Sequence, residues 1–184
     1  MKILTSNKNK LLEFQRILKD NNIEVATGED LEEVLGNREE VITYKSLSAG
    51  KDVMVEDTIL SVDGKDVVDI RFKLEELLNN VSRYGAITKL SWIVNLGYND
   101  GSYIYIYTGV VDGIFTQKTT DGFGFDPYFL PNGSNASLAQ LEKEGNKDDY
   151  SARVSALNHF IQKRFTKKIK IKDIPKWDGA YQNS

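Results

Sequence analysis

The stretch SYIYIYTGVVDGIF, Ser102–Phe115, constrains this chain most. Aromatic and β-branched residues alternate with smaller ones, which is the pattern of half-buried strands. It predicts two strands, Ser102–Tyr107 and Gly109–Phe115, with a break near Thr108-Gly109. Further strand-like runs are Lys2–Thr5 and Val53–Val55, with a shorter one at Leu60–Val62. Helical apolar spacing marks Lys8–Asp20, Glu39–Ala49, Ile70–Asn79, Gly85–Leu96 and Ser151–Phe165. In the last of these, Val154, Leu157, Ile161 and Phe165 form one stripe. Strands and helices alternate around a long central strand pair, so the expected fold is α/β with a long mixed β-sheet flanked by helices.

Composition narrows the function. A net charge of −3 over 184 residues argues against a dedicated nucleic-acid binder. The absence of cysteine leaves no disulfide frame and no zinc-thiolate site, and fits a cytoplasmic setting. The polar residues directly after Met1-Lys2-Ile3-Leu4 give no signal peptide. No apolar run reaches the roughly 18 residues of a membrane span. One histidine, His159, excludes a histidine-rich metal site and reads as a surface residue. Residues 131–150 read as a long polar loop. The alternation of lysine with isoleucine in TKKIKIKDIPKW predicts an edge strand guarded by lysines.

Four stretches carry chemistry. In TSNKNK, a helix opens near Asn7 with Lys8 and Lys10 in its first turn. Free N–H groups and the helix dipole make cations unfavourable there by about 0.3–1 kcal/mol each. The arrangement becomes reasonable if an anion such as phosphate completes it. In VMVEDTIL, an apolar strand is expected to end in Glu56 and Asp57, followed by Thr58. Paired acids raise one another's pKa unless a cation lies between them, and hard oxygen ligands suit Mg²⁺. In DGFGFDPYF, glycines and Asp126-Pro127 shape a turn, Phe125 can stack on a nucleobase and Asp126 can accept from a base N–H. In NKDDYSARVSAL, Lys147, the N-cap type Ser151 and Arg153 again place cations at a helix start. Two such anomalies suggest one polyanion held between two helix N-termini. Each stretch also has an ordinary reading, as a solvated helix start, a strand terminus, a core-plugging turn or a charged loop.

In this order, the motifs resemble the inosine triphosphate pyrophosphatase (Ham1-like) family, which hydrolyses irregular purine nucleoside triphosphates to monophosphate and pyrophosphate. Its T-G-N-x-x-K-x-x-E opening matches Thr5-Ser6-Asn7-Lys8-Asn9-Lys10-Leu11-Leu12-Glu13. Its E-D-T motif matches Glu56-Asp57-Thr58, and its F-G-W/Y-D-P loop matches Phe123-Gly124-Phe125-Asp126-Pro127. Its K-x-x-x-S-H-R helix start matches Lys147 through Ser151-Ala152-Arg153. The resemblance implies substrate contacts from these motif residues, from Lys45 and from Arg71. It implies Mg²⁺ held by Glu33 and Asp57 with support from Glu56, and Asp57 as the catalytic group acting on water. It further implies two lobes with a central substrate cleft, a pyrophosphatase domain over 1–165 followed by a C-terminal extension 166–184, and a homodimer. Three departures stand out: Ser6 replaces a glycine, the segment Ala49–Glu56 is short, and Ala152 stands where the family has a histidine reading the purine 6-oxo group. The last opens the base preference. Rival readings are a Maf-like pyrophosphatase acting on other nucleotides, and a nucleotide-binding sensor or sequestering protein without turnover.

Overall fold

The computed structural model describes residues 1–84 and 87–182. The chain forms two compact units. The first comprises Met1–Asp57, Val94–Thr108 and Ala156 onward; the second comprises Thr58–Ile93 and Gly109–Ser155. In chain order the elements are β1 (Lys2–Thr5), α1 (Lys8–Ile17), β2 (Glu24–Thr27), α2 (Arg38–Ala49), β3 (Val53–Val62), β4 (Lys65–Asp66), α3 (Ile70–Tyr84), β5 (Lys89–Asn99), β6 (Tyr103–Phe115), β7 (Phe129–Pro131), α4 (Leu138–Glu144), α5 (Ala152–Ile161) and β8 (Lys167–Lys170). The strands form one mixed sheet in the order β2-β1-β3-β5-β6-β7, with β4 on β3 and β8 on β6. β1 lies parallel to β2 and β3, whereas β4, β7 and β8 pair antiparallel with their neighbours.

In the first unit, Ile42, Val53, Val55, Ile104 and Ile106 build a buried cluster. Each such side chain contributes about 1.5–3 kcal/mol by leaving water. Helix α2 is fixed at its start by a capping box, in which Asn37 and Glu40 satisfy each other's backbone N–H groups. The lysine-isoleucine tail forms the expected strand β8, and Ile169, Ile171 and Ile174 pack against the cluster.

Four expectations need correction. Residues 89–96, read as part of a helix over Gly85–Leu96, are strand β5, while Gly85 and Ala86 lie outside the described residues. Leu90, Trp92, Ile93, Val94 and Leu96 are all buried, so both faces of β5 are covered and the two-residue alternation is lost. The expected break at Thr108-Gly109 is absent, and β6 runs unbroken through it. Thr108 is held there by its Oγ1, which donates to Asn95 Oδ1 at 2.7 Å. The glycine that matters in β6 is Gly113, where a Cβ would come within 2.4 Å of the Leu130 carbonyl oxygen. The two short runs at 53–55 and 60–62 are one strand, so Glu56, Asp57 and Thr58 lie mid-strand rather than at its end. Finally, the polar stretch 131–150 contains helix α4, capped by Ser137 and closed by Gly145 in the left-handed conformation. His159 is half-buried, with Nδ1 2.8 Å from the Thr108 carbonyl.

Candidate active site

The first unit carries a cleft of about 420 Å³, lined among others by Thr5, Ser6, Asn7, Lys10, Glu33, Lys45 and Glu56. Helix α1 presents its N-terminus here. Asn7 caps it, its side chain accepting from the backbone N–H groups of Asn9 and Lys10, and no acid lies in the first turn. Thr5 Oγ1 accepts from the Asn7 N–H at 3.2 Å. The Ser6 hydroxyl donates to Asp30, so one negative charge already stands near the helix opening. Lys8 and Asn9 are exposed and do not line the cleft.

Carboxylates and lysines interleave at the cleft floor. Glu56 is almost completely buried, and its Oε1 lies 3.2 Å from Lys10 Nζ. Lys45 Nζ donates to Glu33 Oε1 at 2.9 Å and to the Glu56 carbonyl at 3.0 Å. Asp57 joins this group electrostatically. Burial pushes its carboxyl up from 3.8 to about 6; Lys45 opposes that rise, Glu33 adds to it, Lys10 opposes it and Glu56 adds to it. Among the described residues, no three acids stand ready-made around a metal position. The donor chemistry still fits a hard divalent cation: Glu33 and Glu56 both act electrostatically on the Asp57 carboxyl, and Mg²⁺ is usually held by only one or two carboxylates plus substrate phosphates.

The second unit gathers the other motifs. Lys147 Nζ bonds Asp126 Oδ2 at 2.8 Å, both side chains being nearly buried. Burial raises the Asp126 carboxyl, with Lys147 and then Arg153 acting against the rise. Arg153 is buried and donates to Thr58 Oγ1 at 3.2 Å. Ser151 accepts from the Val154 N–H as the cap of α5. Both cations face Trp92, at 5.5 Å for Lys147 and 5.6 Å for Arg153. Phe125 is not free to stack on a ligand: it is 7% exposed, set edge-on to Trp92 at 6.0 Å and against Phe129 at 5.8 Å. Phe123 is the open ring of this loop, at 56% exposure. Gly124, with φ +56°, makes the turn between the two. Arg71 stands apart, highly exposed and 3.9 Å from Glu75.

Sequence reasoning missed Trp92, whose indole Nε1 is buried without a partner. Reading its segment as helix hid it. The β-branched pair Ile93-Val94 beside a tryptophan was the available signal for a strand.

Comparison with known proteins identifies the family. The Ham1 family model matches residues 1–163. A dITP/XTP pyrophosphatase of Saccharolobus solfataricus is 28% identical over 182 residues, covering 87% of this chain and 91% of that protein. A dITP/XTP pyrophosphatase of Flavobacterium johnsoniae is 30% identical over 168 residues, covering 76% of this chain and 85% of its own. The Ham1 protein structure from Staphylococcus aureus superposes with a TM-score of 0.65 at 24% identity, over 89% of this chain and 99% of that one, and supports the fold. With its opening motif, its Glu-Asp-Thr strand and its Phe-Gly-Phe-Asp-Pro loop in family order, the chain belongs to the Ham1 family.

Proposed function

We propose that this protein hydrolyses non-standard purine nucleoside triphosphates, of the ITP, dITP and XTP kind, to monophosphate and pyrophosphate with Mg²⁺. The observation that carries the reading is the Lys10–Glu56, Lys45–Glu33 and Asp57 cluster beside the N-terminus of α1. Curated relatives named as dITP/XTP pyrophosphatases support the substrate class.

The triphosphate is taken by the α1 N-terminus and Lys10, where backbone N–H groups and an ammonium attract anions. Lys45 has a second task, holding Glu33 and the Glu56 backbone in place. Glu33 and Asp57, with Glu56 in support, would hold the Mg²⁺, which would supply charge neutralisation on the phosphate oxygens. Asp57 accepts the proton of the attacking water and needs its ionised form to do so. Attack falls on the α-phosphorus; the P–O bond to the leaving pyrophosphate breaks and the water oxygen stays with the monophosphate. Positioning and charge neutralisation dominate such chemistry, so little covalent work falls to the protein.

The candidates for base recognition are the Phe-Gly-Phe-Asp-Pro loop and the start of α5. Phe123, the exposed ring, stacks on the base, replacing Phe125 in that role. Asp126 and Lys147, already paired, line its edge, and Arg153 adds positive charge. Ala152 is fully buried and offers no hydrogen bond to the base. Selectivity therefore rests on the Asp126–Lys147 pair and on stacking, and it is broader than a histidine at position 152 would give.

A panel of ITP, dITP, XTP and the four standard nucleoside triphosphates, assayed for pyrophosphate and monophosphate, tests the proposal. Pyrophosphate release from the oxopurine nucleotides, abolished by chelator, is the expected result; tight binding with no product would favour the sensor reading. Phe123→Ala should raise KM for every base by about tenfold, since base–aromatic stacking is worth about 1–3 kcal/mol. Thermal stability should stay unchanged because the ring is exposed. An unchanged KM would remove Phe123 from the site.

A further inference from the structure

The family model stops at residue 163, yet the tail beyond it reaches the loop that carries Glu33. The Gln182 N–H donates to the Glu33 carbonyl at 2.8 Å, and the Leu35 N–H donates to the Ala180 carbonyl at 2.8 Å. Gln182 Nε2 adds a bond to the Val34 carbonyl at 3.2 Å, and Val34 and Tyr181 form an antiparallel bridge. The tail also grips the helix that carries Lys45. The Tyr44 hydroxyl donates to the Pro175 carbonyl at 2.6 Å, and the rings of Tyr44 and Trp177 lie 5.1 Å apart. The Trp177 indole sits over Gly36, where a Cβ would be 3.2 Å from its Cη2. Trp177 Nε1 closes the turn by donating to the Ala180 carbonyl at 3.0 Å.

Both halves of the Glu33–Lys45 pair are thus anchored by one segment, itself tied to the core through β8 and Ile174. The loop between β2 and α2 has no regular secondary structure of its own beyond the bridge of Val34 to Tyr181. Groups that orient a metal ligand are typically worth about 10–100-fold in metal affinity. We propose that residues 174–182 form a strap that positions Glu33 for the divalent cation, with Trp177, Gln182 and Tyr44 as its positioning residues. This rests on the reading of Glu33 as a cation ligand.

The test uses the full chain carrying Trp177→Ala, Gln182→Pro or Tyr44→Phe, with Lys176→Ala as an exposed control in the same segment. Two quantities are read: the Mg²⁺ concentration giving half-maximal rate, and Mn²⁺ binding to the nucleotide-free protein by electron paramagnetic resonance. Trp177→Ala and Gln182→Pro should each weaken both by about tenfold. The maximal rate at saturating Mg²⁺ should remain within about twofold, as expected when positioning rather than chemistry is lost. Tyr44→Phe, which loses only one hydroxyl, should shift both in the same direction by less, and decides the matter if a larger change prevents folding. Unchanged cation affinity in the folded variants, or a lowered maximal rate with unchanged cation dependence, overturns the strap. Glu33→Gln separates the two levels. If it loses Mn²⁺ binding while the strap variants keep it, the strap alone fails; if it binds Mn²⁺ normally, the ligand reading itself fails.

Discussion

Asp57→Asn should cut turnover by about 10²–10⁴, the usual contribution of a positioned general base, and should at the same time stabilise the metal-free fold at neutral pH. The second effect follows from the sign of the pKa change. The Asp57 carboxyl is raised in the folded chain from 3.8 to about 6. Below pH 3.8 it is protonated both folded and unfolded and costs nothing. As pH rises from about 4 to about 6 the unfolded chain ionises freely, while the folded carboxyl must ionise against burial and against Glu33 and Glu56. Stability is lost across that window. The difference between 3.8 and about 6, at about 1.36 kcal/mol per tenfold, gives a cost of up to about 3 kcal/mol above it. Asparagine is neutral at every pH and does not carry this cost. Metal-free Asp57→Asn should therefore melt higher than wild type at pH 7.5 and with no difference near pH 3.5. Added Mg²⁺ should stabilise wild type and leave the variant unmoved, since a ligand stabilises only the state that binds it. A variant that is inactive but equal to wild type in stability at both pH values would contradict the burial of this charge; a fully active one would remove Asp57 from the chemistry.

Lys147→Ala should be the most destabilising change among the site residues. Lys147 and Asp126 form a pair whose side chains are only 11% and 12% exposed. Removing one partner of a buried pair strands the other charge and costs about 3–5 kcal/mol. The lower end applies here, because Arg153 still favours the Asp126 charge and because the carboxyl, already raised by burial, can take a proton instead. About 3 kcal/mol corresponds to roughly 6–12 °C in Tm for a chain of this size. The double variant Lys147→Ala with Asp126→Ala should recover most of the loss, since nothing charged is then left behind. The catalytic effect should behave differently: kcat/KM falls in the single variant and is not restored in the double one. Calorimetry and kinetics on the same three proteins separate the two roles. Parallel recovery of both quantities would reduce the pair to scaffolding.

Much of this is legible in the sequence, and what is hidden is hidden for physical reasons. The starts of α1 and α2 follow from short-range chemistry: Asn7 and Asn37 are capping residues, and such signals act within one turn. The lysine-isoleucine alternation of β8 is equally local. Strand β5 was misread because burial on both faces erased its alternation. β6 was cut at Thr108-Gly109 because glycine usually marks a break, and the tie from Thr108 to Asn95 depends on a strand distant in sequence. In the site, Lys10 meets Glu56 and Lys45 meets Glu33, pairs that no local pattern announces because their members lie on separate segments of the chain. The exchange between Phe123 and Phe125 was not readable, since both rings suit stacking and only packing against Trp92 and Phe129 decides which one is spent on the core. Trp92 and the tail residues carry no local signature of function, because their effect lies in what they hold.

In the proposed reaction, carboxylates and cations at the α1 cleft direct water onto the α-phosphorus of a nucleoside triphosphate. Hydrolysis of ITP with Mg²⁺ in ¹⁸O-enriched water, followed by mass spectrometry of both products, tests it most directly. One ¹⁸O is expected in the monophosphate and none in the pyrophosphate. Label in the pyrophosphate, or release of inorganic phosphate with a nucleoside diphosphate, would contradict it.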